Sequence, residues 1–273
     1  MMLVVVAVLL STVMIFAWVV ALRTGRSGWI DVIWSFSTGV AGTAVALAPL
    51  GGVSEIGARR WIVAGMAAAW GIRLGGHILR RTALGGDDPR YAQLRKEWGR
   101  DASRRLFWFL QIQAAAAFLL ALSIAAAAHN PAPGLTPFDW IGIALLVAAV
   151  AGEGAADAQL ERFRTDAANR GKVCDQGLWG LSRHPNYFFQ WLGWTAYAAI
   201  ALQPAGTSYP WGWLALIGPV FMYWLLVHAS GIPPLEAHML RSRGDAFRAY
   251  QARVNAFWPW PRAGGRPTHK QRT

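Results

Sequence analysis

A chain of 273 residues that is 55% hydrophobic, only 15% charged and carries 16 tryptophans has too little polar surface to fold as an ordinary soluble domain. Its 26 Lys and Arg against 14 Asp and Glu leave a formal net charge of +12, and most of the basic residues fall in alternate connections between long apolar stretches. That pattern points to a polytopic membrane protein whose basic loops lie in the cytoplasm. The usual soluble signatures are missing: no Walker A loop, no HExxH and no cysteine cluster that could bind zinc.

Seven stretches come near the ~20 residues that carry a helix through ~30 Å of hydrocarbon: residues 3–22, 29–49, 61–79, 106–128, 138–160, 187–202 and 211–230. The first has no basic region ahead of it and no small-residue cleavage site, so it reads as an uncleaved helix. Arg23 and Arg26 follow the first span, a basic group from Arg80 to Arg105 follows the third, and another from Arg162 to Arg183 follows the fifth. The connections at 129–137 and 203–210 have no Lys or Arg, and only Arg59 and Arg60 fall on the wrong side. The orientation that fits is amino terminus out, carboxyl terminus cytoplasmic.

The inner loop at 80–105 opens with turn-prone Gly85, Gly86, Asp87 and Asp88 and continues in helix-compatible sequence. Cys174, the single cysteine, cannot form an internal disulfide and reads as structural or incidental. After the seventh span, Gly231, Ile232, Pro233 and Pro234 break the helix, and Phe247, Tyr250, Val254 and Phe257 then recur near the helical period. The expected architecture is all-α: one seven-transmembrane-helix bundle over residues 1–262, with cytoplasmic loops and an amphipathic C-terminal helix, followed by a basic disordered tail at 263–273.

Ionisable residues inside spans are expensive, which singles out Asp31, Arg73, His77, Glu153 and Asp157. Asp31, Trp34, Ser35 and Thr38 share one face of the second helix, Trp70, Arg73 and His77 one face of the third, and Glu153, Asp157, Glu161 and Arg164 a stripe down the fifth. Two readings stand side by side: a ligand-filled cavity open toward the cytoplasm, or interhelical ion pairs, such as Arg73 with Asp31, that fix helix order. Leu181-Ser182-Arg183-His184-Pro185-Asn186-Tyr187 precedes the sixth span, with proline placed for a first helical turn. That segment reads either as an anion site at a helix N-terminus or as an ordinary capped helix with one topogenic arginine. Gly152, Gly154 and Asp157 imitate a dinucleotide fingerprint only superficially, since they lie within an apolar span.

Arg183-His184-Pro185-Asn186-Tyr187, preceded by Gly177-Leu178-Trp179 and by the stretch from Asp157 to Arg164, resembles the steroid 5-alpha-reductase family, especially its bacterial DUF1295 branch. Further matches are Asp31-Val32-Ile33-Trp34-Ser35, Trp70-Gly71-Ile72-Arg73-Leu74, Asp88-Pro89-Arg90-Tyr91 and the run from Pro234 through Tyr250 to Trp258-Pro259. The resemblance implies a membrane reductase that holds NADPH in the cytoplasmic half of the bundle and adds hydride to the activated C=C bond of an enone lipid, a 3-oxo-Δ4-steroid or similar. By motif it places Asp157, Arg164 and Asn186 near the nucleotide, and by proximity and charge Arg183, His184 and Tyr187. Arg170 and Lys172 would meet the 2′-phosphate, and Glu236, His238, Arg241 and Tyr250 would close the site from below.

The Gln-Glu pair and the tyrosine that animal steroid enzymes carry in the second and third helices are not found here. In the corresponding regions stand Asp31 and the face of Trp70, Arg73 and His77. Asp31 and His77 are therefore expected to polarise or protonate the carbonyl, Arg73 to tune them, and Trp34 and Trp70 to wall the substrate. An Arg-His-Pro-x-Tyr segment before a late span also resembles isoprenylcysteine carboxyl methyltransferases, which use S-adenosylmethionine; the Asp157–Arg164 element favours the reductase. A non-catalytic membrane lipid binder is the third reading. The expected partners are a hydrophobic small-molecule or lipid substrate and membrane lipids, with no nucleic acid, no obligate protein partner and no metal.

Overall fold

The computed structural model describes residues 1–50, 56–84, 89–202 and 209–260. Among them the chain is all-helical, and its one β-type contact is an isolated parallel bridge between Ser182 and Asn255. The helices are α1 Met2–Thr24, α2 Gly28–Leu47, α3 Ala58–Ala83, α4 Pro89–Trp98, α5 Ala102–Ala128, α6 Pro137–Thr165, α7 Pro185–Ala201, α8 Ile217–Trp224 and α9 Ile232–Arg253. The chain divides into two compact units, the first Met1–Leu146 with Trp194–Met222 and the second Val147–Gly193 with Tyr223–Thr273.

Six helical segments are long and apolar enough to cross a membrane: Met2–Thr24, Gly28–Leu47, Ala58–Ala83, Tyr91–Ala128, Pro137–Thr165 and Pro210–Arg253. The chain is thus an integral membrane protein by length and composition of its helices. The stretch expected as a sixth span forms α7, whose 17 residues rise roughly 25 Å. The stretch at 211–230 is not one regular helix. It runs through a tight 3-10 segment Pro210–Leu216, the short α8 and a π-helical turn Leu225–Ala229. Gly212, Gly218 and Pro219 are weak helix formers placed along this segment.

In the first unit, α2 and α3 pack backbone to backbone. A Cβ added to Gly39 would lie 2.8 Å from the Cα of Gly71, and one added to Gly71 would meet Gly39 Cα at the same distance. Small residues permit this close approach, the usual way for helices to associate in lipid. Gly71→Val is therefore expected to push the helices apart and lower the thermal midpoint in detergent, by about 1–3 kcal/mol of stability. Gly65→Ala, where an added Cβ meets nothing within 4 Å, serves as the silent control.

The two arginines on the wrong side of the charge pattern have structural work. Arg59 is 7% exposed and pairs through Nε and Nη2 with Asp139 at 2.7 and 2.9 Å, while its remaining donors reach the carbonyls of Asn130, Ala132 and Gly134. Arg60 is equally buried and donates to the carbonyls of Ala46, Leu47 and Ala48, closing the C-terminal end of α2. Contacts of this kind hold helix ends.

In the second unit, Phe247, Tyr250 and Val254 bury together against Val173, Met239 and Leu240, as the helical spacing of the C-terminal segment requires. The segment is not a single helix, however. Gly244, at φ 51° and ψ −123°, breaks α9 into two pieces, a backbone conformation open to glycine and costly for other residues. The turn-prone 85–88 stretch and the tail at 263–273 lie outside the described residues.

Candidate functional site

The first unit carries a chain of hydrogen bonds that starts at Asp31, one turn into α2. Tyr91, near the start of α4 and 4% exposed, donates its phenolic O–H to Asp31 Oδ1 at 2.8 Å. Gln113, on α5, donates Nε2–H to the same phenol oxygen at 3.2 Å, and its backbone carbonyl accepts the indole N–H of Trp34 at 3.0 Å. Gln113 Oε1 is buried with no hydrogen-bond partner among the described residues. Buried polar atoms are nearly always satisfied in native proteins, so this acceptor, close to a phenol and a carboxyl, is a candidate ligand contact.

Aromatic rings continue the line. Trp34 meets Trp70 edge to face at 6.3 Å between centroids, Trp70 meets Trp194 at 5.2 Å, and Trp194 meets Tyr197 at 5.4 Å. Trp34 lies one turn along α2 from Asp31, and Trp70 packs against Trp34. The other polar residues of the α2 stripe are satisfied within the helix: Ser35 and Thr38 are fully buried and donate to the carbonyls of Asp31 and Trp34, four residues back. Arg73 is half-buried and His77 exposed on α3. One donor to Asp31 is Tyr91, a residue the sequence marks only as part of Asp88-Pro89-Arg90-Tyr91. No helical period links Tyr91 or Gln113 to Asp31, because all three come from different helices.

The second unit gathers the Arg-His-Pro-Asn-Tyr segment around Glu236. Arg183 is 8% exposed and forks onto the carboxylate, Nε to Oε1 at 2.7 Å and Nη2 to Oε2 at 3.1 Å, while Nη1 reaches the carbonyls of Val254 at 2.5 Å and Gln251 at 3.3 Å. His184 Nε2 lies 3.0 Å from Oε1, and Gln251 Nε2 donates to Oε2 at 2.7 Å. Burial raises the Glu236 carboxyl, but the hydrogen bonds from His184 and Arg183 and the Arg183 charge outweigh it and hold the group at about 2. Burial moves His184 the other way, below its ordinary value, so its contact with Glu236 is that of a neutral imidazole donating Nε2–H. Its Nδ1 is then a buried acceptor with no partner among the described residues.

The Arg183 guanidinium is bound to the chain itself, and Tyr250 likewise: its O–H goes to the carbonyl of Trp179 at 2.5 Å. Arg183, Glu236, Gln251 and Tyr250 form a clamp that fixes the loop ahead of α7 to the C-terminal helix. Ser182 adds to it, with its hydroxyl on the carbonyl of Phe257 at 2.9 Å. From that fixed loop Asn186 extends Nδ2–H to Asp157 Oδ1 on α6 at 3.2 Å, and Tyr187 stacks on His184 at 5.4 Å with 12° between planes. Gln159 Oε1 accepts the backbone N–H of Leu178 and the Ala156 carbonyl accepts the indole N–H of Trp179, so the loop is also tied to α6. Arg164, Arg170, Lys172, His238 and Arg241 are exposed. Cys174 is buried, and burial pushes its thiol up, which suits a packing role and not a nucleophile.

Among the described residues no group of His, Cys, Asp and Glu has the arrangement to hold a metal ion. A family model described as "Protein of unknown function (DUF1295)" matches residues 17–254. No curated protein and no solved structure matches the chain.

Proposed function

This chain belongs to the DUF1295 family, and we propose that it is an NADPH-dependent membrane reductase adding hydride to the activated C=C bond of an enone lipid. The observation that carries the reading is the Asp31, Tyr91 and Gln113 chain of the first unit. Hydride addition to the β carbon of an enone throws negative charge onto the carbonyl oxygen, and a phenol aimed at that oxygen lowers the barrier. The phenol O–H, held at 2.8 Å from Asp31 Oδ1, turns to the substrate carbonyl as charge builds there, and Asp31 relays the proton that replaces it. Gln113 holds the phenol oxygen in place from its other side. The proton passed along this chain reaches the reduced substrate and is replaced from water, so one hydride and one proton convert the enone to the saturated ketone.

The residues of the second unit fit a dinucleotide phosphate. Exposed Arg164, Arg170, Lys172 and Arg241 offer cationic donors, Asp157 and Asn186 present a paired carboxylate and amide, and His184 Nδ1 is an open buried acceptor. The reduced nicotinamide supplies the hydride; the protein holds it and excludes water. The membrane reading that accompanies this proposal has seven spans, α7 included, with the amino terminus outside. Tyr91 and the start of α2 then lie at the cytoplasmic end of the first unit, where the preceding loops are basic.

A thermal-shift series on detergent-purified protein tests the reading. NADPH is expected to stabilise it, by about 2.7 kcal/mol at a hundredfold excess over Kd, and consumption of NADPH should follow addition of an enone lipid. A shift with S-adenosylmethionine alone would make the chain a methyltransferase. Silence with both, together with stabilisation by lipid, would make it a non-catalytic lipid binder.

A further inference from the structure

Trp194 is the largest fully buried side chain among the described residues, 1% exposed, and its indole Nε1–H has no hydrogen-bond partner among them. A buried indole normally finds one, and where only apolar bulk is needed phenylalanine fills the space without leaving a donor behind. The residue is closely fitted from the other side, since a Cβ added to Gly218 would lie 3.0 Å from Trp194 Cε3. Its ring continues the aromatic line that runs from Trp34 through Trp70 and on to Tyr197, and Trp34 is bonded to the backbone of Gln113. The same line therefore carries an open acceptor, Gln113 Oε1, and, further along, an open donor, Trp194 Nε1.

We infer that Trp194 Nε1–H is a specificity contact for the substrate: it donates to a second oxygen, a ketone, ether or ester, carried by the lipid away from its reacting carbonyl. The inference rests on the reading of the Asp31 and Tyr91 region as the place where the enone is held. An apolar body lies along Trp34 and Trp70, its reacting carbonyl at Tyr91 and its second oxygen at Trp194. A lipid with hydrocarbon at that end leaves the indole N–H unsatisfied and binds less tightly. One good hydrogen bond to a buried donor corresponds to about tenfold in affinity.

The test is a binding comparison made without NADPH, so that it stands apart from turnover. The probes are a 3-oxo-Δ4-steroid with a ketone at its far end and the same molecule with a methylene in that place, titrated by intrinsic fluorescence or thermal shift. The detergent-purified protein is expected to bind the ketone about tenfold more tightly. Trp194→Phe is expected to bind the two probes alike, and its smaller ring lowers the midpoint of the ligand-free protein by leaving a gap in the core. A natural-sequence protein that binds both probes alike overturns the inference, even if the variant does not fold. So does a variant that loses affinity for both equally. Failure of NADPH to be consumed with either probe counts against the reductase and leaves the binding preference to be read on its own.

Discussion

Tyr91→Phe is expected to lower NADPH-dependent enone reduction by roughly two to four orders of magnitude while leaving stabilisation by NADPH unchanged. The substitution removes one oxygen and keeps the ring. Tyr91 is buried and packs edge to face with Phe109 at 6.2 Å between centroids, a contact that phenylalanine preserves. What disappears is the bridge between Asp31 Oδ1 and Gln113 Nε2. If the phenol donates to the developing oxyanion, turnover falls and substrate affinity changes little, because the bond strengthens as charge builds on the carbonyl oxygen. Asp31→Asn should give a loss of similar size, since the amide cannot resupply the proton. Gln113→Leu should cost only about tenfold, the worth of one neutral hydrogen bond that positions the phenol. A full rate in Tyr91→Phe together with a collapsed rate in His77→Ala would return the acid role to His77, the residue the α3 stripe nominates.

The contrast between His77 and Tyr91 shows what a linear sequence carries and what it hides. Spans are legible because hydrocarbon demands long apolar runs, and the ends of α1, α2, α3, α5 and α6 fall within a few residues of the hydropathy limits. A stripe along one helix is legible too, since Asp31 and Trp34 lie one turn apart. The contact between Tyr91 and Asp31 is not. Tyr91 reaches Asp31 from a short helix sixty positions away, placed by chain folding that no periodicity records. The C-terminal core was readable from the spacing of Phe247, Tyr250 and Val254, whereas the break at Gly244 within the same helix depends on a backbone conformation that any surface glycine can adopt or decline. Arg183 stands just ahead of a helix in a basic loop, and the carboxylate that engages it, Glu236, comes more than fifty residues later, where local charge pattern does not reach.

That engagement sets the second large effect. Glu236→Ala is expected to destabilise the second unit by about 3–5 kcal/mol, because it leaves the buried Arg183 guanidinium and the Gln251 amide without their acceptor. Replacing both members, Arg183→Met with Glu236→Leu, should recover most of the loss, since two charges are then removed from a site where water had already been excluded. The same pair gives the acid response. Glu236 titrates at about 2 in the folded protein against an ordinary 4.5, so its contribution is complete above about 4.5 and is lost as pH falls from there toward 2. His184 acts in the same direction. Held neutral below its ordinary 6.5 by burial, it leaves the unfolded chain to take up a proton first, so stability also drops as pH falls below about 6.5. The midpoint measured in detergent should therefore decline in two stages on acidification. Glu236→Gln should flatten only the lower stage, while His184→Asn should flatten only the upper. Equal acid profiles in all three proteins would mean that the clamp opens elsewhere first. If Glu236→Ala also leaves the midpoint unmoved, Arg183 is free to turn to another partner, and its place as an anion ligand returns. NADPH binding would then weaken in Arg183→Ala at unchanged stability, a combination that a purely structural clamp cannot produce.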